Sequence, residues 1–143
     1  MAIDIVSMEP SRGFSKMVIA RCHAIGYSKG RALRRGTSAQ VAKFLYEDVL
    51  CRHGVFDTLI TDGGPENEGI LAELTRSYGV KHVVTSTYHP QSNGLVERGH
   101  KPIVDALSKL TNGSQSDWVF HLPGVLWAER TTIYKPIGLT PST

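Results

Sequence analysis

The hydrophobic pattern of this chain changes its period after residue 33, from short strand-like stretches to helical spacing, and this change restricts the folds that the chain can adopt. Before residue 34 the apolar residues form three short stretches, over residues 2–8, 14–22 and 27–33, separated by turns that contain glycine. These stretches predict an antiparallel meander of three strands. Farther along, apolar residues recur at the spacing of one helical face, at Val41, Phe44, Leu45 and Val49. A meander followed by a helix predicts a sheet that is covered by helices.

Strands and helices alternate through the rest of the chain. Thr37 and Gln40 have the spacing of a capping box and Gly54 stands where a helix would stop, so these residues delimit the first helix. The pattern then predicts strand, helix, strand, helix and helix, over residues 57–61, 70–78, 81–86, 97–110 and 118–133. Because an interior proline removes a backbone hydrogen bond, we expect Pro102 to cause a bend or split between Glu97 and Ile103, and we expect a bend or interruption at Pro123-Gly124.

The predicted order, β-β-β-α-β-α-β-α-α, describes an α/β fold with a five-stranded mixed sheet flanked by helices. This order resembles the ribonuclease H-like fold. The 143 residues fit one domain, and a content of 41% hydrophobic and 20% charged residues is typical of a globular chain. We expect Trp118 and Trp127 to lie mostly in the core.

The charge, the cysteine content and the apolar runs of the chain indicate which partners and which compartment to expect. A net charge of +3 is compatible with a polyanionic partner without demanding one. Cys22 and Cys51 are the two cysteines, so no disulfide framework is indicated, and a zinc site is disfavoured because adjacent strand residues such as Cys22 and His23 point to opposite faces. No apolar run has the length of a membrane span and no signal-peptide layout is visible, so we expect an intracellular chain with no membrane partner.

Three acidic residues stand at notable places in the predicted elements. Asp4 lies in the first strand, where Asp is disfavoured, so it indicates either a bound cation or a water-facing position at a frayed end. Asp62 precedes two glycines and fits an ordinary turn, yet it also closes a strand and precedes a helix, where α/β sheets present functional side chains. Glu97 fits an active site and an ordinary helix start equally well.

Two polar segments surround these acids, Thr61-Asp62-Gly63-Gly64-Pro65-Glu66-Asn67 and His89-Pro90-Gln91-Ser92-Asn93-Gly94-Leu95-Val96-Glu97-Arg98. They resemble the integrase core of gypsy-type LTR retrotransposons and, more distantly, that of retroviruses. The family's D,D(35)E signature has 35 residues between its last two acids, and here 34 residues separate Asp62 from Glu97. The resemblance spans essentially the whole chain, because Asp4 and the segments 31–34, 41–44 and 126–128 follow in the expected order.

The resemblance implies that residues 1–143 form one integrase catalytic core domain, without the zinc-binding N-terminal domain and the C-terminal domain. Such a core is a metal-dependent polynucleotidyl transferase and endonuclease of DNA integration, which processes the 3′ ends of retrotransposon cDNA and joins them to target DNA. Asp4, Asp62 and Glu97 would be its catalytic residues and would bind two Mg²⁺ (or Mn²⁺) ions.

The resemblance also implies partners and a location. The partners would be DNA, as element cDNA ends and target DNA, and further integrase copies in a homodimer or higher oligomer, located in the nucleus or in a cytoplasmic retroelement particle. The expected DNA contacts are Lys101, Asn93, Gln91, Arg34 and Arg35. The last two belong to a basic run that equally fits a solvated edge strand.

Two positions depart from the family's pattern, Gly63 and Asn67, so the contacts that the family makes there are not carried over. Two alternatives to an integrase core stay open. One is an inactive or domesticated integrase-like module that binds DNA or protein without catalysis. The other is a ribonuclease H-like nuclease, which would share the fold and the metals but not the loop from His89 to Gly94.

Overall fold

The computed structural model describes residues 1–22, 27–85, 101–111 and 117–131, which form a mixed sheet with helices on both faces. The strands are β1 (Ala2–Ser11), β2 (Phe14–Arg21), β3 (Ser28–Leu33), β4 (Thr58–Thr61) and β5 (Lys81–Val84). The helices are α1 (Ser38–Phe44), α2 (Cys51–His53), α3 (Ile70–Ser77), α4 (residues 101–110) and α5 (Trp118–Thr131). A π-helical stretch, Leu45–Leu50, joins α1 to α2, and a 3₁₀ turn, Pro65–Asn67, precedes α3.

The five strands lie in the order β3-β2-β1-β4-β5, so β1 is the central strand. β1 pairs with β2 in antiparallel orientation and with β4 in parallel orientation. β3 extends the antiparallel side and β5 extends the parallel side. The predicted α/β fold, with its mixed five-stranded sheet and its order of elements, is therefore confirmed.

The first helix begins and ends where the sequence indicates. Thr37 Oγ1 accepts a hydrogen bond from Gln40 N at 3.3 Å, which caps the start of α1. Gln40 Oε1 in turn accepts from Gly36 N at 2.9 Å and from Arg35 N at 3.2 Å, so the side chain orders the turn that follows β3. α2 ends at Gly54, whose φ of 85° is a conformation that favours glycine.

The two faces of the sheet pack against different helices. One face, called the α1 face, consists of Ile3, Val18, Ala20, Leu33 and Leu59, which pack against Val41, Phe44, Leu45 and Leu71. The other face, called the α5 face, consists of Met8, Met17 and Ile19, which pack against Ile103, Leu107, Trp118, Leu122 and Leu126. Because successive side chains of a strand point to opposite faces, the position of a residue along β1 or β4 decides which helices it can meet.

The last two helices differ in part from what the sequence predicts. Of the two outcomes predicted at Pro123-Gly124, the interruption is wrong, because α5 continues through both residues, and the bend stays a prediction. Leu122, Val125 and Leu126 around them are buried against the sheet. Trp118 is fully buried as expected, whereas the prediction is wrong for Trp127, which is 65% exposed. Pro102 lies within α4, while the expected bend before it falls on residues outside the described part of the chain.

Within the described ranges, no helix has both the length and the apolar character that crossing a bilayer requires.

The two tryptophans of α5 provide a matched test of this packing. Trp118 fills the α5 face and its indole N–H donates to Glu9 O at 2.7 Å. We expect Trp118→Ala to lower the free energy of unfolding by about 3–5 kcal/mol, whereas Trp127→Ala should change it by less than about 0.5 kcal/mol. Urea unfolding followed by circular dichroism measures both values, and equal losses would contradict the described position of α5.

Candidate active site

Asp4 lies in the central strand, on the α5 face. Its partner on β2 is Ile19, which is 2% exposed and belongs to the α5 face. Val6, two residues farther along β1, packs against the same cluster, and the alternation of side chains puts Asp4 on the side of Val6. The side chain of Asp4 is half-buried, and its Oδ1 accepts a hydrogen bond from Ile5 N at 2.9 Å. A charged group therefore interrupts an otherwise apolar row of the sheet.

The parallel register sets Asp62 level with Asp4. Ala2 of β1 is the partner of Ile60 of β4, and two residues farther along each strand lie Asp4 and Asp62. Leu59 is buried on the α1 face, so the alternation along β4 directs Asp62 to the opposite face, which carries Asp4. Neighbouring strands are about 4.8 Å apart, so the two carboxylates occupy adjacent positions on one face.

The carboxylate of Asp62 is held by N–H groups of its own loop. Its Oδ1 accepts from Gly64 N at 3.0 Å and from Asn67 Nδ2 at 2.8 Å, and the same Nδ2 lies 3.2 Å from Asp62 O. Asn67 is 4% exposed, and its own Oδ1 has no hydrogen-bond partner among the described residues. Two donors thus orient one oxygen of Asp62, while none in the described part of the chain reaches Oδ2.

The residue before Asp62 ties the end of β4 to β5. Thr61 Oγ1 and His82 Nε2 are 2.6 Å apart, and Thr61 O accepts from Thr85 N at 2.8 Å. Thr61 is fully buried and His82 is half-buried. Burial lowers the pKa of His82 below its ordinary value of 6.5, which favours the neutral imidazole at pH 7. The last residue of β4 is therefore fixed on the face opposite to Asp62.

The structure also describes three of the predicted DNA-contacting residues, and all three are exposed. Arg34 and Arg35 follow the last residue of β3, and the Arg34 guanidinium lies 4.7 Å from the centre of the Phe14 ring. Arg35 points to a cleft beside the loop that follows Asp62. Lys101 lies on the exposed side of α4. The three cations are accessible to a large anionic partner.

The third predicted carboxylate, Glu97, lies outside the described residues, as do Gln91 and Asn93. The helix that follows Glu97 in sequence is described from residue 101, and it packs on the α5 face through Ile103 and Leu107. That face carries Asp4 and Asp62. The prediction that Glu97 joins the two aspartates is untested, but α4 lies on the face that it requires.

Within the ranges that the structure covers, no group of three or more His, Cys, Asp or Glu side chains could hold a metal ion. Asp4 and Asp62 form a pair, and the third expected ligand belongs to the undescribed part. Carboxylate oxygens are the donors that Mg²⁺ prefers, so the chemistry of this pair suits a hard cation.

Two residues near the pair escaped the sequence-based predictions. Asn67 departs from the family's pattern and lies in a loop, five residues after Asp62. Its hydrogen bond to Asp62 could not be predicted, because a loop has no hydrophobic periodicity that indicates which residues are in contact. His82 stands in a predicted strand, and its contact with Thr61 depends on the parallel pairing of β4 with β5. Both contacts arise from tertiary structure.

Comparison with known proteins finds retroviral relatives and no matching family model. The chain is 32% identical over 146 residues to the Gag-Pol polyprotein of feline leukemia virus and 31% identical over 142 residues to the Pol polyprotein of radiation murine leukemia virus (strain Kaplan). Each match covers 97% of this chain, but the chain spans 8% and 24% of the length of these polyproteins. The nearer resemblance to gypsy-type retrotransposons stays a prediction.

Solved structures share the fold. The catalytic core domain of BIV integrase matches with a TM-score of 0.76 and 22% identity, covering 99% of this chain and 89% of that one. The simian T-cell lymphotropic virus intasome in complex with PP2A regulatory subunit B56 gamma matches with a TM-score of 0.82 and 20% identity, covering 97% of this chain and 51% of that one. These similarities confirm the predicted ribonuclease H-like fold.

The contact between Asn67 and Asp62 leads to a test by amide-to-acid substitution. Asn67→Asp would replace the donating amide by a second carboxylate, and we expect the free energy of unfolding at pH 7 to fall by at least about 2 kcal/mol. The loss should shrink as the pH falls towards 4, because the facing carboxylates can then share a proton. Urea unfolding at both pH values measures the difference.

Gln40→Glu is the matched control for this substitution. Gln40 uses its side-chain oxygen as an acceptor, so a carboxylate there keeps both hydrogen bonds at the start of α1 and should not destabilise the chain at pH 7. If Asn67→Asp were as harmless as Gln40→Glu at pH 7, the Asn67 amide would not be a donor to Asp62.

Proposed function

Because the chain belongs to the integrase catalytic core domains of the ribonuclease H-like fold, we propose that it catalyses polynucleotidyl transfer on DNA. The two reactions proposed are the cleavage near the 3′ end of retroelement cDNA and the attack of the resulting 3′-hydroxyl on a phosphodiester of target DNA. The observation that carries this proposal is the level position of Asp4 and Asp62 on one face of the sheet. Two carboxylates in this arrangement suit phosphoryl transfer assisted by cations.

Asp4, Asp62 and Glu97 are proposed to hold two Mg²⁺ or Mn²⁺ ions. The described residues fit this role, because Asp4 and Asp62 offer oxygen donors from adjacent strands and the Asn67 amide leaves Oδ2 of Asp62 available. When bound, such ions would activate the attacking oxygen and stabilise the leaving oxygen of an in-line displacement.

The protein's own contribution is to position these carboxylates. Gly64 N and Asn67 Nδ2 orient Asp62 before any ligand arrives, so less conformational freedom remains to be lost when a ligand binds. Glu97 would complete the set from the α4 side. This part of the proposal places its carboxylate on the α5 face, where α4 packs.

DNA is the proposed substrate and partner. Lys101, Arg34 and Arg35 are accessible cations that could contact phosphates, while Asn93 and Gln91 of the loop before Glu97 are proposed to contact the DNA near the reactive end. We propose that the chain acts as one domain of an oligomeric integrase, in the nucleus or in a cytoplasmic retroelement particle. The net charge of +3 is compatible with these contacts.

A disintegration assay on branched DNA tests the proposed chemistry. With Mg²⁺ or Mn²⁺, Asp4→Asn, Asp62→Asn and Glu97→Gln should each reduce product formation to less than about a hundredth of the wild-type rate, because each removes a charged ligand from the reacting centre. Measuring initial rates on a labelled branched substrate gives the three values.

Asp57→Asn is the matched control, because it makes the same chemical change at an exposed position just before β4, at the opposite end of that strand. It should keep the wild-type rate. A wild-type chain that binds branched DNA but gives no product with either metal would instead favour a DNA-binding module without catalysis.

A further inference from the structure

A cleft of about 480 Å³ borders the loop that follows Asp62. Its lining includes Lys16 of β2, Arg35 and Gly36 of the turn after β3, and Pro65 and Glu66. Pro65 and Glu66 follow Asp62 by three and four residues, so the loop that carries Asp62 also forms a side of the cleft. Ile5 and Ser7 of β1 also line the cleft, so it opens on the α1 face, and the loop after Asp62 connects it with the Asp4–Asp62 pair on the α5 face.

The ammonium group of Lys16 is held at the wall of the cleft. Its Nζ donates to Ser7 Oγ at 2.6 Å, and its aliphatic carbons pack on Gly36, where an added Cβ would lie 3.2 Å from Lys16 Cγ. An ammonium group has three N–H donors, so two remain for another acceptor. Lys16 is thus a positioned cation rather than a freely moving surface side chain.

The two cations of the cleft lack the carboxylate partners that several arginines of the sheet and of its flanking helices have among the described residues. Arg21 pairs with Glu129 at 3.1 Å, and Arg31 pairs with Asp48 at 2.9 Å. Within the described part of the chain, neither Lys16 nor Arg35 forms an ion pair. Their charge is therefore available to an external anion.

Glu66 is the opposing charge in the cleft. Its carboxylate folds back towards Gly64, close to the place where a Cβ on that glycine would stand. Lys16 and Arg35 line the same cleft and outnumber this single carboxylate, so the cleft retains a net positive charge. It suits singly charged anions that follow one another along a chain, as DNA phosphates do.

We propose that this cleft on the α1 face binds a segment of the phosphate backbone of the DNA substrate, with Lys16 and Arg35 as its phosphate contacts. The inference rests on the proposed function, and it adds Lys16 and a second contact region, beside Pro65 and Glu66, outside the Asp4–Asp62 site. These contacts are independent of base sequence, because they reach only phosphates.

The test measures DNA affinity without catalysis. The affinity of the chain for a labelled branched DNA duplex is followed by fluorescence anisotropy in EDTA at several NaCl concentrations. The double variant Lys16→Gln, Arg35→Gln should bind on the order of tenfold more weakly at 0.1 M salt, and its salt dependence should be shallower by about 2, since each phosphate contact contributes about 0.9. Gln keeps the carbons of Lys16 that pack on Gly36.

The matched control is Lys43→Gln, Arg52→Gln, which removes the same two charges from α1 and α2, where both cations face acidic residues. It should change affinity less than about threefold and leave the salt dependence intact. Glu66→Gln should strengthen binding, because it removes the carboxylate from the cleft. Thermal unfolding of every variant establishes that each one is folded.

The outcomes separate the two proposals. Equal losses in the two double variants, together with no gain for Glu66→Gln, would overturn the cleft as a phosphate site while DNA binding itself stands. A wild-type chain with no affinity for DNA would overturn DNA as the partner and the cleft with it. A selective loss in the Lys16, Arg35 variant with a gain for Glu66→Gln supports the proposal.

Discussion

The backbone hydrogen bonds between β1 and β4 decide where both aspartates stand. Ile60 N donates to Met1 O at 2.8 Å, and Ala2 is the partner of Ile60 across the parallel ladder. A slip of one residue in this register would turn the side chain of Asp62 to the α1 face, away from Asp4. The candidate site therefore depends on one pairing between segments nearly 60 residues apart in sequence.

The loop after β4 is fixed from two sides, and this keeps Asp62 in place beyond the end of the ladder. Asn67 donates to Asp62 within the loop, while Ser38, at the start of α1, donates to Glu68 O and accepts from Leu71 N at 3.1 Å. Gly69 precedes α3 and offers no side chain to cap it, so Ser38 supplies the cap from another helix. The folding of α1 against α3 thereby stabilises the loop of the site.

Local patterns predicted the elements because each depends on nearby residues. The first helix is predictable from residues within about four helical turns of one another, and the structure confirms it. These residues are the apolar positions from Val41 to Val49, the Thr37–Gln40 cap and Gly54. The buried side of α5 was harder to predict, because apolar residues occur all around this helix and their spacing does not select one side. Trp127 was consequently misplaced while Trp118 was not.

The sequence indicated the two aspartates of the candidate site, but not the neighbouring residues that hold this region in place. Asp4 stands out as a charge within an apolar strand and Asp62 as a charge at the end of another. The pairing that sets them level agrees with the prediction that they act together. The contacts of Asn67 and His82 could not be deduced, since each joins residues through tertiary structure. Glu97 stays a predicted third ligand, on the evidence of its sequence motif.

Diffraction from crystals soaked in Mn²⁺ tests the central claim most directly, because the anomalous signal locates the ion independently of any assay. The claim is that Asp4, Asp62 and Glu97 converge on one site on the α5 face. It predicts an anomalous peak within about 2.3 Å of carboxylate oxygens of Asp4 and Asp62, with Glu97 at the same site. Full Mn²⁺ occupancy elsewhere, with no peak between the two aspartates, would contradict it.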